Sequence, residues 1–67
     1  MNDRIVIDPK VCHRKPVVLG TRMPVSLIVG SLAGGMSFED VQQEYALTLK
    51  DIRAAIQFAG ELVEQEQ

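Results

Sequence analysis

At 67 residues, with a formal charge of −2 and a pI near 5.2, the chain is a single small domain and lacks the basic balance of a protein that coats nucleic acid. A domain of this size buries a small share of its surface, and one core supplies only ~3–5 kcal/mol of net stability, so disulfides, a metal or association usually supplement it. The lone cysteine, Cys12, excludes an internal disulfide, and Cys12-His13 with no second ligand pair excludes a zinc site, which leaves association.

In chain order, "RIVID" (Arg4–Asp8) is rich in β-branched residues and closes at Asp8-Pro9, which predicts a short strand and a turn. In "KPVVLGTRMPV" (Lys15–Val25), Val17-Val18-Leu19 predicts a second strand, with Gly20 supplying a turn and Arg22-Met23 continuing extended. Pro16 and Pro24 each lack a backbone donor and cannot sit inside a sheet, so the pair of strands reads as an edge ribbon. Pro24 also suits the first turn of a helix and holds Met23 extended, which fixes the direction in which "VSLIVGSLAGG" enters. That helix presents Val25, Ile28, Val29 and Leu32 on one face and stops at Gly34-Gly35. "SFED" and "TLKD" carry the Ser/Thr-x-x-acid spacing of a capping box, which starts the next two helices after Ser37 and Thr48. Phe38, Val41 and Tyr45 form the apolar side of the first of these. Leu49, Ile52, Ile56, Ala59 and Val63 form a stripe on the second, widened by Phe58 and Leu62. The closing "EQEQ" reads as a fraying end.

The predicted fold is therefore mainly α: a short N-terminal β-ribbon over residues 1–24 and a three-helix, helix-turn-helix-like bundle over 25–64, in one domain of 1–67. "MNDRIVIDP" is too short in its apolar part for a signal peptide, and no run approaches the ~18 apolar residues of a membrane span. The expected compartment is the cytoplasm, where a single thiol stays reduced.

Catalysis is not expected. His13 is the only histidine, and a Cys12-His13 neighbour pair in a strand points to opposite faces, so no nucleophile and base meet. No catalytic, cofactor or metal residue is assigned. Charge is distributed unevenly: up to Arg22 five cations face two anions, whereas from Ser37 onward two cations face seven anions. Two helices joined by three residues, Ala46-Leu47-Thr48, are the minimum for helix-turn-helix contact with DNA. The outward face of the last helix would then offer Lys50, Arg53, Ala54 and Gln57. Arg53 suits a guanine edge, Gln57 an adenine, and Thr48 at the helix start a phosphate. On the ribbon, the apolar Val17, Val18 and Leu19 flanked by Lys15 and Arg22 read as a strand that pairs with another protein chain. Three functions fit these features: a partner-binding module that also contacts DNA, a stand-alone DNA-binding regulator, and a purely structural interaction domain.

Several strings occur together: Ile5 or Ile7 with Asp8-Pro9, Lys15-Pro16-Val17 with Gly20-Thr21-Arg22 and Pro24-Val25, Gly35 to Val41, and Leu47 to Ile56. They resemble the small bacterial family known as domain of unknown function 433, over about residues 4 to 60. Members resemble homeodomain-like or winged-helix three-helix bundles, and many resemble antitoxins of type II toxin–antitoxin pairs. The resemblance implies an antitoxin that binds a PIN-like ribonuclease toxin and its own operator DNA; the homo-oligomer expected of this chain follows instead from its small core. This chain departs from the family at one place: His13-Arg14 stands where many members carry Gly-Gly ahead of Lys-Pro.

Overall fold

The computed structural model describes residues 3–8, 10 and 14–65. It is mainly helical, with a short antiparallel sheet followed by three helices: β1 (Ile5–Ile7), β2 (Pro16–Val18), α1 (Val25–Ala33), α2 (Phe38–Tyr45) and α3 (Leu49–Gln65). Pro9, Cys12, His13, Glu66 and Gln67, and with them part of the Asp8-Pro9 turn, the Cys12-His13 pair and the fraying end, lie outside the described residues.

β1 and β2 pair in the register Ile5 to Val18, Val6 to Val17 and Ile7 to Pro16. Leu19, expected in the second strand, instead opens a turn. The Thr21 N–H donates to the Val18 carbonyl at 3.0 Å, and Gly20 takes φ +80°, the positive angle a type II turn demands at its third residue. Thr21 locks the reversal. Its hydroxyl donates to the Val18 carbonyl at 2.7 Å and accepts the Met23 N–H at 3.0 Å. The returning chain then lies along β2: the Val18 N–H donates to the Met23 carbonyl at 3.0 Å, and Val17 bridges Pro24. On the other side the Leu19 N–H donates to the Arg4 carbonyl at 2.7 Å. The expected edge is thus an inner position, because the Gly-Thr turn folds Met23-Pro24 back onto it. Pro16, at the first position of β2, and Pro24, on the returning segment, occupy places where a missing N–H costs no ladder bond.

Pro24 is the N-cap of α1, one residue ahead of the first helical position, with extended φ −68° and ψ 141°. The helix ends in a Schellman motif: the Gly35 N–H reaches the Leu32 carbonyl at 3.1 Å, and Met36 N–H the Ser31 carbonyl at 3.1 Å, around Gly35 at φ +109°. Both capping boxes form. At Ser37, the Asp40 N–H donates to the hydroxyl at 3.0 Å and the Asp40 carboxylate accepts the Ser37 N–H at 3.3 Å. At Thr48 the same pair of bonds runs to and from Asp51 at 3.2 and 3.0 Å. α2 closes on Ala46, which adopts the left-handed conformation at φ 53° and ψ 46°.

The core draws on every element: Ile5, Val18, Val25, Ile28, Val41, Leu47, Ile52, Ala54 and Ala55. Because Ile5 and Val18 belong to it, the ribbon is part of the packed body and not a separate arm. α1 and α2 are also joined by polar atoms. The Ser31 hydroxyl donates to the Leu27 carbonyl at 2.7 Å, which leaves Tyr45 as donor in the 3.2 Å contact between the two hydroxyls. No helix among the described residues is long and apolar enough to cross a membrane.

Candidate nucleic-acid interface

α2, the left-handed Ala46, Leu47, Thr48 and α3 form a helix–turn–helix unit whose angle is held by buried side chains on both arms. Val41 of α2 and Ile52 and Ala55 of α3 are fully buried, and Leu47 in the turn is buried with them. These positions leave one side of α3 open. Lys50, Arg53 and Gln57, at spacings three and four, are all exposed on it. Thr48 caps the same helix. Its hydroxyl oxygen accepts the Asp51 N–H, and its proton is turned to the Asp51 carboxylate.

Asp51 is a carboxylate in the first turn of the helix that would approach DNA, and its charge is answered within the fold. Arg4, just ahead of β1, donates from Nη1 to Asp51 Oδ1 at 3.1 Å, and the Asp51 side chain is 15% exposed. Burial pushes the Asp51 carboxyl up, but the backbone and hydroxyl bonds with Thr48 and the Arg4 charge outweigh it and hold the group below the ordinary aspartate range. Arg4 is absent from the expected site residues. The sequence carries no local signal for it, since its partner lies 47 residues away. Further along α3, Glu61 and Glu64 lie one and two turns beyond Gln57. The favourable electrostatic stretch is therefore the first two turns, which are the part of a recognition helix that reads base edges.

Two expectations about faces are corrected. Ala54, expected to face outward, is 6% exposed and part of the core, because β1 lies against the first turns of α3 and covers that flank. The stripe Leu49, Ile52, Ile56, Ala59, Val63 is not the buried line. Leu49, Ile56 and Val63 are 39%, 40% and 61% exposed, while Ala55 is fully buried and Phe58 packs against the core. The two alanines allow close approach there, and the buried arc turns toward them.

The expected protein-contact set divides. Val17 and Val18 are 2% and 1% exposed, so neither side chain can meet a partner; the alternating faces of β2 are both covered. Leu19, Lys15 and Arg22 are exposed. A second apolar feature lies elsewhere. Beyond the core, α3 overhangs the shorter α1, and the two bound an open apolar groove of about 500 Å³. Val25 and Val29 of α1, Phe58, Leu62 and Val63 of α3, and Pro16 at the start of β2 line it. Among the described residues no cluster of three or more His, Cys, Asp or Glu side chains could hold a metal ion.

Comparison with known proteins places the chain. Residues 5–59 match the family described as "Protein of unknown function (DUF433)", and the chain belongs to that family. A crystal structure of a DUF433 member from Anabaena variabilis is similar over 92% of this chain, with 30% identity and a TM-score of 0.84. A crystal structure of Rv2018 from Mycobacterium tuberculosis is similar over 78% of this chain, with 31% identity and a TM-score of 0.70. This chain spans 62% of the first protein's length and 24% of the second's. No curated protein matches it.

Proposed function

We propose that this protein is a non-enzymatic, antitoxin-like module that contacts operator DNA through α3. The observation that carries this reading is the presentation of Lys50, Arg53 and Gln57 on the open side of a helix whose angle is fixed by a buried turn and whose first-turn carboxylate is neutralised by Arg4. Arg53 donates two bonds to a guanine, Gln57 pairs with an adenine one turn on, and Lys50 and the helix N-terminus at Thr48 hold flanking phosphates. The toxin side of the reading comes from the family resemblance. With Val17 and Val18 buried, a PIN-like ribonuclease would meet the ribbon at Leu19, Lys15 and Arg22. Ile7 joins them, and it and Leu19 are each 59% exposed.

The test is retention of DNA from upstream of the protein's own reading frame at graded salt, with the neighbouring frame's product co-expressed. Arg53→Ala and Lys50→Ala should each weaken retention by ~1–3 kcal/mol, the first with relaxed sequence preference and the second with a shallower salt dependence. Equal retention by wild type and variants, or none at low salt, removes the DNA reading. Isolation of the chain alone from the co-expression removes the toxin.

A further inference from the structure

From the outer edge of β1, we infer that this chain pairs with a second copy of itself, strand against strand, across a two-fold axis at Val6. The bonds of the sheet fix which groups face that edge. The Leu19 N–H reaches the Arg4 carbonyl, whereas the Val18 N–H turns away to Met23 and the Val18 carbonyl to Thr21. Bonded pairs alternate along an antiparallel ladder, so the main-chain groups of Arg4 and Val6 face β2 and those of Ile5 and Ile7 face outward. Among the described residues nothing bonds to the N–H and C=O of Ile5 and Ile7. β1 also lacks the lysine, proline or bulge that blunts natural edges against pairing.

The charges that bracket β1 select the occupant. Arg4-Ile5-Val6-Ile7-Asp8 runs from basic through apolar to acidic, so its complement is the same segment read the other way. A partner strand must set open main-chain groups opposite Ile5 and Ile7. For a second copy, the register that does so over the whole of β1 opposes Ile5 to Ile7 and Val6 to Val6. That register places Arg4 of each copy opposite Asp8 of the other, twice per dimer, at the non-bonded positions where side chains come closest. Asp8 is exposed and forms no ion pair among the described residues, and the Arg4 side chain is 48% exposed beside its bond to Asp51. A uniformly acidic strand would oppose Asp8, a uniformly basic one Arg4, and a parallel copy would set like charges together.

Ile7 adds an apolar contact. It is 59% exposed, although alternation puts it on the same side of the strand as buried Ile5. In the pairing each Ile7 stands across from Ile5 of the other copy, a distance of ~5.5 Å between Cα atoms. The two-stranded sheet of each copy becomes half of a four-stranded one, which relieves the marginal stability of an isolated ribbon. Thr48, Lys50, Arg53 and Gln57 take no part in it.

Sedimentation equilibrium over a micromolar-to-millimolar series, read beside amide hydrogen exchange, tests it. Wild type should approach twice 7.4 kDa, with the Ile5 and Ile7 amides exchanging more slowly as concentration rises. Ile7→Pro removes an outward N–H and no bond to β2, so it should stay at 7.4 kDa with helical circular dichroism unchanged. Asp8→Asn keeps the side-chain oxygen that accepts the Lys10 N–H and loses the charge. It should weaken the dimer by roughly fivefold, since two equivalent pairs are lost, and Asp8→Arg should weaken it further. A wild type still monomeric at millimolar concentration, or a dimer whose Ile5 and Ile7 amides exchange as in the monomer, would overturn the inference. So would Asp8→Asn and Asp8→Arg dimerising as tightly as wild type, a result that reads the edge even where Ile7→Pro fails to fold.

Discussion

Thr21 shows how much one side chain can determine here. Its hydroxyl is donor to one arm of the turn and acceptor to the other, so a single oxygen closes the reversal that Gly20 makes possible. Two other residues hold unusual backbone angles without being glycine: Ala46 at φ 53° and Arg14 at φ 70°. Arg14 holds its left-handed angle at a steric cost of roughly 1–2 kcal/mol. Asp51 is the residue with the most at stake, since it caps α3 and holds Arg4. Its folded-state value is below the ordinary aspartate value of about 3.9, so its contribution is complete above that value and is lost as pH falls through the lower folded one. Asp51→Asn should cost about 1 kcal/mol near neutral pH, as removal of a cap does. The gap from wild type should close as both approach pH 2 in urea titrations. A gap that persists in acid would show that the ionised form is not what matters.

At the scale of elements, the helix starts are legible in the sequence and the faces are not. Ser37 with Asp40 and Thr48 with Asp51 declare their roles through bonds spanning three residues, so sequence spacing suffices. The face α3 buries depends on where the ribbon lands. Leu49-Ile52-Ile56 and Ile52-Ala55-Phe58 are both acceptable helical stripes, and only the packing of α1, α2 and β1 against α3 selects the second. The candidate DNA-facing arc is readable because Lys50, Arg53 and Gln57 are the polar remainder of either stripe. The edge reading of the ribbon fails for a similar reason: nothing local says that Met23-Pro24 returns along β2. Val18→Asp separates the two views. An exposed strand would tolerate it with helical content intact, whereas burial of an unpaired carboxylate in the core should unfold the chain, costing more than ~3 kcal/mol. Far-ultraviolet circular dichroism reads the difference, and loss of helix is the expected result.

For the molecule as a whole, a single core of small and medium side chains carries the fold, and its largest fully buried members are Ile28 and Ile52. Ile52→Ala should remove ~2–5 kcal/mol, comparable with the whole stability of a domain this size, and leave the chain largely unfolded at 25 °C. Ile56→Ala, four residues on and 40% exposed, should leave the unfolding midpoint close to wild type. Equal losses at both positions would restore the broader stripe as the buried line.

The clasp between Arg4 and Asp51 joins residues 47 apart, and Ile5 beside it is covered only when α3 is in place. On a ribosome adding ~5–20 residues per second, the leading strand must wait roughly 2–10 s for the segment that shelters it. Burial of Ile5 thus follows the last helix rather than preceding it, and the sheet that comes first in the chain is among the last parts to be closed.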